Sequence, residues 1–186
     1  MHDRTRNLQA GITAAIVLFC SLAGFSQDEA TEQTARPKLH PPSQAAARMQ
    51  AQLLHATLHQ MLHAVHDSYY REDEGLPIPA AVLSRTFPAL SAEHSVKLRW
   101  LAVDGIAMNT DHRPQDAFER AAVAALKGGQ GSFEQLEGQR FRRAGAIRLA
   151  AHCLKCHVPD RRSTADHTAG LIIEMQLADP PSLPTP

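Results

Sequence analysis

The feature that most constrains this chain is a five-residue stretch, Cys-Leu-Lys-Cys-His, at residues 153–157. Two cysteines separated by two residues and followed at once by a histidine form the attachment signature of a c-type haem. The spacing lets one short turn carry both thiols to the porphyrin vinyl groups while the adjacent imidazole faces the iron. We therefore predict covalent haem at Cys153 and Cys156, with His157 as the proximal iron ligand. A disulfide or a zinc site built from the same cysteines is the alternative.

The N-terminal segment predicts export. Residues 1–26 contain Arg4 and Arg6, an apolar run at 10–19 and small residues after it, which is typical of a signal peptide. An uncleaved N-terminal anchor is the alternative, because the apolar stretch could barely span a bilayer. Removal of the leader would also remove Cys20, the third cysteine, and leave only the two in the motif. Haem is attached outside the bacterial cytoplasm, so we expect a periplasmic or extracytoplasmic protein, or one tethered to the inner membrane.

Composition divides the remainder into three parts. Residues 27–42 are polar and then proline-containing, which predicts a disordered linker. Residues 43–178 carry the regular hydrophobic patterns and are expected to form the haem-binding domain. Residues 179–186 are proline-rich and predict a disordered tail. The formal net charge of the chain is zero, so charge gives no argument for nucleic acid or for an anionic membrane surface.

The domain is predicted to begin with a helix from an N-cap at Ser43 to about Arg71. This stretch has no glycine and no proline after residue 42. Its apolar positions recur at intervals of three and four residues, which is one helical face. They are Leu54, Leu58, Met61, Leu62, Val65 and Tyr69.

Four histidines share this helix: His55, His59, His63 and His66. At about 100° per residue, the apolar face is expected to centre near Leu58 and Val65. His66 and His55 border that face, whereas His63 lies nearly opposite. An axial ligand must point into an apolar haem pocket, so His66 is the first candidate for the distal ligand and His55 the second. Four solvated histidines without a metal are the alternative.

The rest of the domain predicts alternating helices and strands. In order, these are a short helix at 80–86 broken at Pro88, a strand at 96–103, a helix from about Pro114 to Gly128, a hairpin of strands 132–137 and 139–144, and a last strand at 169–178. Trp100, the single tryptophan, is expected to pack in the core or against the porphyrin.

Basic residues are concentrated around the motif. Between residues 138 and 165 there are seven Lys or Arg and a single acidic residue. Beside a haem, arginines can neutralise the propionates or steer an acidic redox partner. We assign possible propionate contacts to Arg142 and Arg143, and expect the others to form a solvated surface.

This arrangement resembles the family of single-haem c-type domains with a PAS-like fold, first catalogued as a bacterial domain of unknown function. The resemblance rests on residues 109–119, on 141–157 and on Ala169-Gly170 leading into the last strand. It implies an α+β fold with a PAS-like antiparallel sheet, a long N-terminal helix and flanking helices. It also implies a proximal His157 and a distal ligand from the N-terminal helix. That ligand can be Cys or Met in relatives; this helix has no Cys, and histidine is the substitute.

Two functions from different classes follow. The first is an exported monohaem protein for electron transfer or for redox or gas sensing, whose partner is a redox protein or a diatomic ligand. The alternative is a periplasmic zinc or transition-metal binding protein that uses the Cys/His cluster, with His152 or His167, and the His-rich helix. No paired acid and base groups indicate an enzyme.

Overall fold

The computed structural model describes residues 41–105, 107, 109–150, 153–154 and 165–179. The predictions for the leader, for the linker up to residue 40 and for the tail from residue 180 lie outside these residues. So do those for Cys156 and His157, the second half of the haem motif.

The first described helix, α1, spans Gln44–Ser68. The predicted cap is confirmed, since the Ser43 side chain accepts a hydrogen bond from the backbone N–H of Ala46 at 3.3 Å. The helix ends three residues before the predicted Arg71. A short 3-10 helix, Glu72–Glu74, follows and ends at Gly75, whose φ of 65° is in the left-handed region that glycine favours.

The buried face of α1 differs from the predicted one. Its buried residues are Ala47, Ala51, Leu58 and Leu62, whereas Val65 is 37% exposed and Tyr69 75% exposed. The prediction of Val65 at the centre of the face was therefore wrong. It weighed only the large apolar side chains, whereas the two fully buried alanines also mark the contact face.

Two short helices follow, where one was predicted. They are α2, Pro79–Ser84, and α3, Phe87–His94. Pro88 was expected to break a helix, but it lies in the first turn of α3, where the missing N–H has no intrahelical partner to lose. The α3 helix ends at His94, and its C-cap residue, Ser95, adopts a left-handed φ of 54°.

Four strands form one antiparallel sheet in the order β1-β4-β3-β2. They are β1 (Val96–Ala102), β2 (Ser132–Glu137), β3 (Arg140–Leu149) and β4 (His167–Gln176). The predicted β2–β3 hairpin is confirmed, with Gly138 at φ 59° in its turn. The strands β3 and β4, which precede and follow the Cys-x-x-Cys-His stretch in the chain, are neighbours in the sheet.

Helices cover both faces of this sheet. On one face, α1, α2 and α3 pack over a core that includes Trp100, Phe141 and Leu171. On the other, α4 (Ala117–Lys127) packs over a smaller core that includes Phe118 and Ile172. The predicted α+β class is confirmed. No helix in the described part of the chain combines the length and hydropathy needed to cross a membrane.

Candidate functional site

A cavity of about 420 Å³ lies on the α1 face of the sheet. Its volume is in the range of small-molecule and cofactor pockets. Helix α1 contributes Leu62, His63 and His66 to the wall, and the strands contribute mainly apolar side chains. These strand residues include Trp100, Ala102, Ile147, Leu149 and Ala169.

Trp100 forms a fixed part of this wall. It is 8% exposed, and its indole N–H donates to the carbonyl of Ala80 at 3.1 Å and to the hydroxyl of Ser84 at 2.7 Å. Its ring also packs on Phe87, with 5.3 Å between ring centroids. Helices α2 and α3 therefore hold the ring in place beside the cavity.

The first cysteine of the motif lies in the same cavity wall. The backbone N–H of Cys153 donates to the carbonyl of Ala150 at 2.8 Å, which turns the chain directly after β3. The next residue, Leu154, is fully buried in the core and anchors the turn. Burial raises the pKa of the Cys153 thiol, and the carboxylates of Asp67 and Asp166 act in the same direction. The environment of Cys153 thus favours the thiol over the thiolate.

His66 also lines the cavity. Its Nδ1 lies 2.9 Å from the backbone carbonyl of Leu62, and since a carbonyl can only accept, Nδ1 carries the proton. In this tautomer of the uncharged ring, Nε2 carries the lone pair that can bind a metal. A hydrogen bond from the other ring nitrogen to a backbone carbonyl is the usual support of a metal-binding histidine.

His55, the second candidate, has a different environment. It is not among the residues that line the cavity. Its Nε2 lies 3.1 Å from the carbonyl of Ala146 in β3, to which it donates, and its ring lies over Gly145. Burial lowers the pKa of His55, with smaller contributions in the same direction from His59 and Arg143. The donated Nε2 proton leaves that nitrogen without a free lone pair.

His59 and His63 contact each other one turn apart on α1. Their Nε2 atoms are 3.1 Å apart and their ring centroids 4.8 Å apart. His63 lines the cavity, although it was expected on the side of the helix opposite the apolar face. Burial, followed by the neighbouring His63, lowers the pKa of His59.

The cavity wall also includes a histidine and an arginine that were not assigned to the site from the sequence. His112, in the short 3-10 helix Thr110–His112, lines the cavity, and its pKa is lowered by burial and then by Arg99. Arg148 lines it from β3, with its side chain 72% exposed and paired with Asp166. A loop histidine carries no periodic signal, but Arg148 belongs to the basic run that the sequence showed.

The structure places the Arg142 side chain on the other face of the sheet. Arg142 is 4% exposed and its guanidinium stacks on the Phe118 ring, 4.1 Å from the centroid. It pairs with Asp116 at 2.6 Å, with Glu119 at 3.3 Å and with Glu174 at 3.4 Å. Three carboxylates thus surround it beneath α4.

The Arg143 side chain is also occupied by a carboxylate. It pairs with Glu134 on β2, which also receives Arg48 from α1 at 2.7 Å. Neither Arg142 nor Arg143 lines the cavity. The geometry therefore gives no support to propionate contacts by these two residues.

Among the described residues, no cluster of three or more His, Cys, Asp or Glu side chains could hold a metal ion. The zinc alternative rests largely on Cys156 and His157, which lie outside those residues. Cys153 and His66 are the two predicted site residues that the structure does bring to one cavity.

Fold and site together define an α+β domain whose antiparallel sheet carries helices on both faces and a cavity lined by a cysteine and histidines. The chain belongs to the Tll0287-like family, since the family model, described as Tll0287, matches residues 39–175. Its fold is similar to the crystal structure of the cyanobacterial haem-protein Tll0287, with a TM-score of 0.54 at 16% identity. That match covers 72% of this chain and 98% of the other. No curated protein matches the chain.

Proposed function

We propose that this domain binds one haem in the cavity described above, attached covalently through Cys153 and Cys156. In this proposal His157 is the proximal ligand and His66 the distal one. The observation that carries it is the presence, in one apolar cavity, of the motif cysteine Cys153 and of His66, whose Nδ1 donates to the Leu62 carbonyl. The similarity to a cyanobacterial haem-protein and the Cys-x-x-Cys-His sequence support the same assignment.

The cavity residues fit a haem by their chemistry. The wall is largely apolar, as a porphyrin face requires, and Trp100 is held in it by two hydrogen bonds. The Leu62 carbonyl keeps the His66 proton on Nδ1, which directs Nε2 to the metal. Arg148 contributes to the cavity wall from β3, but its side chain is paired with Asp166.

Bound haem would supply a one-electron couple whose potential is lower with two histidine ligands than with a His/Met pair. We propose electron transfer or redox sensing as the role, since a ligand on each side of the iron leaves no open position. Gas sensing would require displacement of His66. We further propose that the sheet is PAS-like and that the protein is exported to the periplasm, either free or tethered by residues 1–26. Its redox partner would be a separate protein.

The experiment is an absorption spectrum of the full chain expressed with a periplasmic haem-attachment system. We expect a pyridine haemochrome of two thioether bonds and haem that stays on the chain in a denaturing gel. Changing both Cys153 and Cys156 to Ser should abolish it. Full covalent haem in that double variant would refute the proposal, as would a colourless unaltered protein.

The distal ligand is tested by His66→Ala, with His55→Ala as the matched control on the same helix. We expect His66→Ala to change the spectrum of both oxidation states and to allow CO to bind. His55→Ala should leave both spectra unchanged, because its ring contacts β3. The reverse pattern would assign the iron to His55 instead.

A further inference from the structure

We infer that His59 and His63 form a binding site for one divalent transition-metal ion, separate from the haem iron, with copper(II) as the preferred ion. The two histidines lie four residues apart on α1 and project from the same side of the helix. Their Nε2 atoms face each other at 3.1 Å. Imidazole nitrogens held this close on a rigid helix are a preformed two-point chelate.

The separation of the nitrogens fits a metal ion without movement of the helix. With metal–nitrogen bonds of about 2.0–2.1 Å, nitrogens 3.1 Å apart subtend an angle of roughly 95–102° at the ion. This lies between the right angle of a tetragonal site and the wider angle of a tetrahedral one. Geometry therefore admits copper, nickel and zinc, and the intrinsic order of affinity favours copper(II).

The protonation of the pair is compatible with metal binding. In the metal-free pair, one Nε2–H donates to the other Nε2. When a metal ion binds between the two Nε2 atoms, this proton moves to Nδ1 of the donor ring. Both Nε2 lone pairs can then bind the ion. Burial favours the neutral form of His59, and neutral imidazole is the form that binds metals.

The two histidines supply only part of a metal ion's coordination, which limits the expected affinity. No third His, Cys, Asp or Glu joins the pair within the described ranges, so water would complete the coordination. His55, whose ring centroid is 5.6 Å from that of His59, is engaged by Ala146. His63 also lines the cavity proposed for haem, so a bound ion would lie close to the haem. The inference itself does not need the haem.

The test uses the tag-free, haem-loaded full chain, because haem attachment removes both motif thiols as competing ligands. Copper(II) is titrated by calorimetry, and pulsed EPR counts the imidazoles on the ion. We expect one site with two imidazoles. His59→Gln and His63→Gln should each lower its affinity by at least about tenfold, since the local concentration of the second donor is lost. His94→Gln, at the exposed end of α3, is the matched control and should bind as before.

The inference is overturned if both variants bind copper like the unaltered protein, or if His94→Gln loses it equally. Should a variant misfold, the imidazole count in the unaltered protein still decides, and fewer than two would contradict the site. The Cys153→Ser, Cys156→Ser protein separates this inference from the proposed function. It should lack haem and still bind copper through two imidazoles.

Discussion

Gly145→Ala is the sharpest test of how α1 sits on the sheet. A Cβ at residue 145 would lie 2.4 Å from Cδ2 and 2.5 Å from Nε2 of His55. Real Cβ atoms do not approach other atoms so closely, so the His55 ring must leave. It would then give up its hydrogen bond to the carbonyl of Ala146.

The expected cost follows from three contributions. Overpacking costs about 1–3 kcal/mol, and the lost hydrogen bond costs about 0.5–1.5 kcal/mol. Against these, alanine in a strand interior gains about 0.5–1 kcal/mol over glycine. The net destabilisation should be about 2 kcal/mol, which lowers Tm by about 4–8 °C in a domain of this size. Urea unfolding followed by far-UV circular dichroism measures it.

His55→Ala provides the matched background, because it removes the ring that the new methyl group would meet. In that background Gly145→Ala should cost nothing or stabilise the protein slightly. The two changes should therefore couple by at least about 1 kcal/mol, well above the ~0.5 kcal/mol error of additivity. Additive effects would show that His55 does not rest on Gly145.

Two further predictions concern charged side chains on the strands of the sheet. Arg142→Met should destabilise the domain by about 3–5 kcal/mol, because it leaves a cluster of carboxylates without their buried partner. Arg148 is exposed, so the control Arg148→Met should change the free energy of unfolding by less than ~0.5 kcal/mol. Burial opposes ionisation of Glu134, but hydrogen bonds from Arg48 and Arg143 outweigh it and lower its pKa. Because the pKa of Glu134 is lower in the folded than in the unfolded protein, its ionised form stabilises the fold above about pH 4, the ordinary range for a carboxyl group. This stabilisation is lost as the pH falls through the folded-state pKa. Urea unfolding from pH 7 to pH 3 should therefore show a shallower acid loss for Glu134→Gln, and equal slopes would contradict the assignment.

Local patterns predicted much of the fold. The Ser43 cap and the glycine turn at Gly138 each act over a few residues, and both are where the sequence placed them. The alternation around Trp100 also placed β1 correctly. Pro88 misled because a proline that ends one helix and a proline that starts the next look alike in sequence. The turn before Pro88 distinguishes the two cases. There the backbone N–H groups of Arg85 and Thr86 donate hydrogen bonds to carbonyls of α2, which ends that helix.

The basic run illustrates what sequence could not show about the site. Arg142 and Arg143 are adjacent in β3, so their side chains point to opposite faces of the sheet. One meets Asp116 and Glu119 under α4 and the other meets Glu134. These carboxylates are remote in sequence or on another strand. A run of positive charge therefore predicted neither partner.

The two candidates for the distal ligand, His55 and His66, show another limit of the sequence. Residues 55 and 66 are eleven positions apart, which is three helical turns plus about 20°, so a helical wheel places them on nearly the same face. They differ by about 16 Å along the axis. That axial distance puts His55 over β3 and His66 at the cavity. Which of them can reach a haem thus depends on how α1 is positioned along the sheet, and Gly145 contributes to this by leaving room for the imidazole ring.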